Sequence, residues 1–128
     1  MNAPAPPWKQ LLAFGRAETE AILTALPEPL RQKAFAIPIV LEPRPSPAMQ
    51  KEGIADDTLG LFVGESFPEA FSGVHDLPPQ ILLFLENIWS YAEQHTPTYR
   101  EEIRRTYLHE LGHYLGLDES DLTARDLD

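Results

Sequence analysis

The sequence predicts a single α+β domain, and three observations carry that reading. Its 128 residues suit one domain that buries about two-thirds of its unfolded surface in one small core. Apolar residues recur at helical spacing near both ends, over residues 8–26 and 98–115. Between them stand three short stretches of strand character, at 35–42, 58–64 and 80–86.

Residues 1–7 are small and proline-rich and read as a flexible tail, which leaves 8–128 as the domain. "WKQLLAFGRAETEAILTAL" carries Leu11, Phe14, Glu18, Ala21, Ile22 and Ala25 on one side of an amphipathic helix. Pro27 and Pro29 close it, and "PLRQKA" adds a short helical turn. "FAIPIVLE" reads as a strand with Ile37, Ile39 and Leu41 on one face. Pro38 lacks a ladder donor, which predicts an edge strand or a late start. "SPAMQKEG" is punctuated as a small helix, with Ser46 as cap, Pro47 at the first position and Gly53 as stop. "TLGLFVG" alternates Leu59, Leu61 and Val63 against Gly60 and Phe62, as a strand does. A loop rich in Gly, Ser and Pro covers 65–79. "QILLFLE" is apolar almost throughout, the pattern of a strand buried on both faces. "NIWSYAEQH" is a short helix or an irregular connection. The last helix starts at Thr98 with Glu101 three residues on, a capping box. Ile103, Tyr107, Leu108, Leu111, Tyr114 and Leu115 form its apolar side, and Gly116 stops it.

A formal net charge of −10 argues against nucleic acid or an anionic membrane as partner. The longest apolar run, Ile81–Leu85, is far short of the ~20 residues that span a bilayer. "MNAPAPPWKQ" lacks the basic and apolar regions of a secretory signal. A soluble, cytoplasmic protein is the expectation. There is no cysteine, so a metal site here must use histidine and carboxylate.

The chemistry concentrates in "HELGHYLGLDE", residues 109–119. Residues four apart on a helix project about 40° apart around its axis, so His109 and His113 present two imidazoles to one ion. Glu110 lies beside them, placed to take a proton from a metal-activated water. Zn²⁺ is the ion this donor set suits, lowering the water's pKa towards ~7 and polarising a scissile carbonyl. The competing account is an ordinary amphipathic helix with two surface histidines. From this composition H-E-x-x-H arises by chance in roughly one sequence in a hundred, and adding Gly116 and an acid at 119 makes that roughly one in ten thousand. The motif also falls on a capped helix, so chance is the weaker account.

A helix running straight on carries the next residues away from the metal. Gly116 tolerates the positive φ that reverses the chain, and Glu119 then falls at the returning position as third ligand. Asp118 and Asp121 compete for that place, and a solvated acidic turn is the bland account of all three. His75 and His95 read as surface or packing residues, with His75 keeping a smaller claim as a transition-state donor. Tyr99, Tyr107 and Tyr114 read as core or interface aromatics.

The chain resembles the minimal zincins, small bacterial zincin-like metallopeptidases with the pattern H-E-x-x-H-x-x-G-x-x-D. Beyond the motif, "LGLFVG" at 59–64, "LPPQILLF" at 77–84 and "EEIRRTYLHELGHYLGL" at 101–117 stand in that family's order and spacing. "LPEPLRQKA" and "EPRPSPAMQKEGI" are weaker matches. The resemblance implies a small mixed sheet packed on helices, with a C-terminal active-site helix beneath it. It implies His109 and His113 as metal ligands and Glu110 as general base. Glu119 stands where the pattern has Asp, one methylene longer, and no methionine follows the motif to make a Met-turn. In zincins an extended peptide pairs with the sheet's edge strand, which points to Leu61, Phe62 and Val63 as substrate-binding. Gly60 and Gly64 would then admit a substrate backbone, against the simpler reading of "GLFVG" as a packing strand.

Zinc-dependent hydrolysis of peptides or unfolded protein is the leading function. The alternative, from another class, is a metal-binding module that recruits a peptide or protein partner and hydrolyses nothing. Glu110 opposes it, because a binder has no need of a base there. A structural zinc site is weaker still, since closed sites usually have four protein ligands.

Overall fold

A computed structural model describes residues 6–64 and 79–115. Five helices and three strands follow in the order α1 (Trp8–Ala25), α2 (Glu28–Phe35), β1 (Ile39–Glu42), α3 (Pro47–Lys51), β2 (Gly60–Val63), β3 (Gln80–Phe84), α4 (Leu85–Tyr91) and α5 (Thr96–Leu115). The expected α+β class and small mixed sheet are what the chain adopts. Strand order is β1-β3-β2, with β1 parallel and β2 antiparallel to the central β3.

Local chemistry explains the elements. Pro38 precedes β1, which therefore begins late, and β1 lies at an edge, so both readings of that proline hold. Ser46 caps α3 by accepting from the Met49 N–H at 3.2 Å, and Gly53 ends the segment at φ 101°. β3 is buried on both faces: Ile81 and Leu83 join the main core, Leu82 and Phe84 the smaller cluster on the other face. Main-core contacts come from α1, α4 and α5, whereas Val40, Leu61, Val63 and Met49 pack around the smaller cluster.

Four boundaries differ from expectation. Pro29 lies inside the first turn of α2, where its missing N–H costs no helical bond, so "PLRQKA" belongs to a helix of eight residues. The third strand ends at Phe84 and passes directly into α4, which settles "NIWSYAEQH" as helical over most of its length. The helix α5 starts at Thr96 rather than Thr98: the His95 carbonyl accepts from the Tyr99 N–H at 2.8 Å, and the Thr98 hydroxyl pairs with His95 Nδ1 at 2.7 Å, so no capping box forms. The buried stripe of α1 is Leu11, Gly15, Glu18, Thr19 and Ile22, with Ala21 and Ala25 exposed. Between α4 and α5, Glu93 and Gln94 both take positive φ (55° and 61°) and turn the chain back.

Two contacts lock α1 to α5. The Tyr99 hydroxyl donates to the Leu11 carbonyl at 2.9 Å. The Glu18 carboxylate, almost wholly buried, accepts from Arg100 Nε at 2.6 Å and pairs with Arg104 Nε at 3.2 Å. Arg100 also lies over the Phe14 ring, 4.9 Å from its centre. Among the described residues no helix is long and apolar enough to cross a membrane.

Candidate active site

The helix α5 lies under β2, and its inward stripe repeats every four residues. Ile103, Tyr107 and Leu111 are buried in the main core, as expected, and Tyr99 with them. Thr106 and Glu110 are also buried, which the apolar pattern did not announce. They meet β2 at Gly60: a Cβ built there would lie 2.5 Å from Thr106 Cγ2 and 3.4 Å from Glu110 Cγ. One step further along both elements, the half-buried Tyr114 ring packs on Phe62 with ring centres 5.3 Å apart. Four helical residues rise about 6 Å and two strand residues about 6.8 Å, so the two repeats stay nearly in step.

Among the described residues β2 is an edge strand, and the ladder sets which main-chain groups face outward. The Phe84 N–H donates to the Leu59 carbonyl, so in the antiparallel register the bonded pairs are Leu59–Phe84, Leu61–Leu82 and Val63–Gln80. Gly60 and Phe62 therefore turn their main-chain N–H and C=O groups outward. The Phe62 N–H donates to the Glu110 carboxylate. Asn87 fixes the approach to this strand, donating through Nδ2 to the carbonyls of Asp56 (2.7 Å) and Thr58 (2.9 Å).

His109 and His113 occupy the next stripe of α5 and are exposed, with ring centres 4.5 Å apart. That is near the ~5 Å expected of two imidazoles on one tetrahedral ion with Zn–N of about 2.0–2.1 Å. Burial pushes the Glu110 carboxyl above its ordinary value, while His113, His109 and the Phe62 N–H each pull it down. The result is a partly desolvated carboxylate with a raised proton affinity beside two imidazoles, the environment that suits a general base. The donors present fit zinc: two imidazoles on one helix face and no thiolate.

Of the other residues named from sequence, Glu119, Asp118, Asp121, Gly116 and His75 lie outside the described residues. Among the described residues no cluster of three or more His, Cys, Asp or Glu side chains stands ready for a metal. The Phe62 and Val63 side chains are buried on opposite faces of β2 and Leu61 is half-buried, so a peptide along this edge would meet main chain more than side chain. Tyr99 and Tyr107 are core residues, as expected. A cavity of about 380 Å³ lies elsewhere, lined by Trp8, Leu12, Leu23, Ile39 and Leu41 between α1 and β1.

The model of the zincin-like metallopeptidase family matches residues 35–128. The chain belongs to that family. The match begins at Phe35, so α1 precedes the matched segment and packs against it. A comparison with curated proteins returned no match.

Proposed function

We propose that this zincin-like protein is a zinc-dependent peptidase acting on extended peptides or unfolded protein segments. The observation that carries the reading is the place of Glu110: a buried carboxylate beneath β2, the edge strand among the described residues, with His109 and His113 on the adjoining stripe. His109 and His113 would hold the zinc, with Glu119 as the third protein ligand ahead of Asp118 and Asp121. When bound, zinc supplies Lewis-acid activation of water and of the scissile carbonyl.

The chain's own residues do the rest. Glu110 takes a proton from the attacking water, a transfer its raised proton affinity favours, and returns it to the more basic leaving nitrogen. The Phe62 N–H orients its carboxylate for this. A substrate strand would lie along Leu61–Val63 by β-augmentation, using the outward carbonyls of Gly60 and Phe62. Extended backbone is the only shape such an edge accepts, which favours unfolded substrates. We read the protein as cytoplasmic, a location that its cysteine-free composition fits.

Metal analysis after reconstitution, paired with a fluorogenic peptide library assayed with zinc and with chelator, tests this. Wild type and Glu110→Gln should each hold about one zinc, and His109→Ala should hold none. Glu119→Ala should weaken zinc by ~10-fold or more, since it removes one of three ligands. Peptidase activity should fall at least ~10²-fold in Glu110→Gln. Equal zinc in wild type and His109→Ala places the metal elsewhere. One bound zinc with no wild-type activity across the library makes the protein a metal-dependent binding module instead.

A further inference from the structure

We propose that Gly60 and Thr106 are positioning residues: the missing side chain at 60 lets the Thr106 methyl seat against β2, and this contact sets how closely α5 carries Glu110 to the strand edge. The proposal rests on the reading of Glu110 as the base and adds what holds it in place.

The geometry leaves little freedom here. A Cβ at residue 60 would stand 2.5 Å from Thr106 Cγ2, well inside van der Waals contact, and 3.4 Å from both Glu110 Cγ and the Leu82 carbonyl oxygen. Thr106 is β-branched, buried and fixed on a helix, so its methyl yields only by changing rotamer or by moving the helix. Glu110 Cγ and the Leu82 oxygen, at 3.4 Å, stand at the edge of ordinary contact, so the clash is with Thr106. An added methyl therefore acts as a wedge between α5 and β2. It enters next to Glu110, four residues beyond Thr106 on the same stripe.

Glycine inside a strand ordinarily marks a close backbone approach. At Gly60 the approaching body is α5 itself. The Phe62 N–H is the gauge of the fit: it points away from the ladder towards the open edge, and its protection depends on the carboxylate beneath.

Gly60→Ala, Gly60→Ala with Thr106→Ser, and Glu110→Ala test the proposal by two readouts. The first is amide hydrogen exchange at Phe62 in the zinc-free protein, which needs no activity. The second is kcat/KM on the best library peptide, with zinc content measured alongside. The Phe62 amide should be protected in wild type and should exchange at least ~10-fold faster in Glu110→Ala and in Gly60→Ala. Gly60→Ala should lose kcat/KM by ~10-fold or more while still binding zinc. Thr106→Ser removes Cγ2 and keeps the hydroxyl, so the double variant should recover most of both losses. If Gly60→Ala fails to fold, the double variant is compared with wild type, and recovered folding with a protected Phe62 amide supports the proposal. Failure of the double variant to fold, or a folded double variant no better than Gly60→Ala, overturns it. So does a Phe62 amide that exchanges equally fast in wild type and Glu110→Ala. A protein with no peptidase activity would sink the enzymatic reading while the exchange measurement still decides whether Gly60 and Thr106 position Glu110.

Discussion

At its outer edge β1 turns the main-chain groups of Ile39 and Leu41 away from β3, and both residues line the cavity beside α1, whereas at the outer edge of β2 the Phe62 N–H meets the carboxylate of Glu110. Both strands are four residues long and mostly apolar. What differs is the helix beneath. The helix α1 stands off from β1 and leaves a cavity, while α5 is drawn against β2 until Thr106 touches the Gly60 backbone. That cavity is not lined by motif residues.

The contrast can be broken first by stability. Phe62→Ala removes a ring with no exposed surface, packed on Tyr114, and should cost about 3–5 kcal/mol in urea unfolding. A loss under ~1 kcal/mol would mean that β2 is not seated on α5. Leu41→Ala, on the half-buried face of the other edge, should cost only about 1–2 kcal/mol. Equal losses at the two edges would erase the difference in packing.

A subtler test uses pH on the chelator-treated protein. The folded state holds the Glu110 carboxyl above its ordinary value of 4.5, chiefly by burial, so between 4.5 and that raised value the folded chain keeps a proton that the unfolded chain has released. Stability from this group is therefore whole below 4.5 and declines as pH rises through the folded value. Glu110→Gln should remove the decline, and its stability relative to wild type should grow from pH 4 to pH 8. A difference that stays flat over that range would show Glu110 to be solvated.

The motif was legible because its spacing is a property of the helix alone. His109, Glu110 and His113 need only 3.6 residues per turn to be read as neighbours. The apolar faces of β3 and α5 were legible for the same reason, each repeating within one element. What the sequence concealed depends on pairs of elements. The burial of Thr106 and Glu110 follows from where Gly60 lies, 46 and 50 residues earlier, and Gly60 by itself marks only that something comes close. On its side-chain side the body that comes close is Thr106 of α5. The α5 start was misplaced because Thr98 and Glu101 satisfy a capping pattern that His95 pre-empts through its own carbonyl.

The clasp between α1 and α5 also bears on how the chain assembles itself. Tyr99 reaches Leu11 across 88 positions, and Arg100 reaches Glu18 across 82. During synthesis at about 5–20 residues per second, α1 waits roughly 4–18 s for the helix that covers it. Through that interval Leu11 and Ile22 present an apolar stripe without its final cover, a surface that binding by a chaperone or the ribosome would shield. Contacts so far apart in sequence raise the contact order, which slows folding. Among the described residues, α1 and α5 can meet only after more than 80 intervening positions have been made.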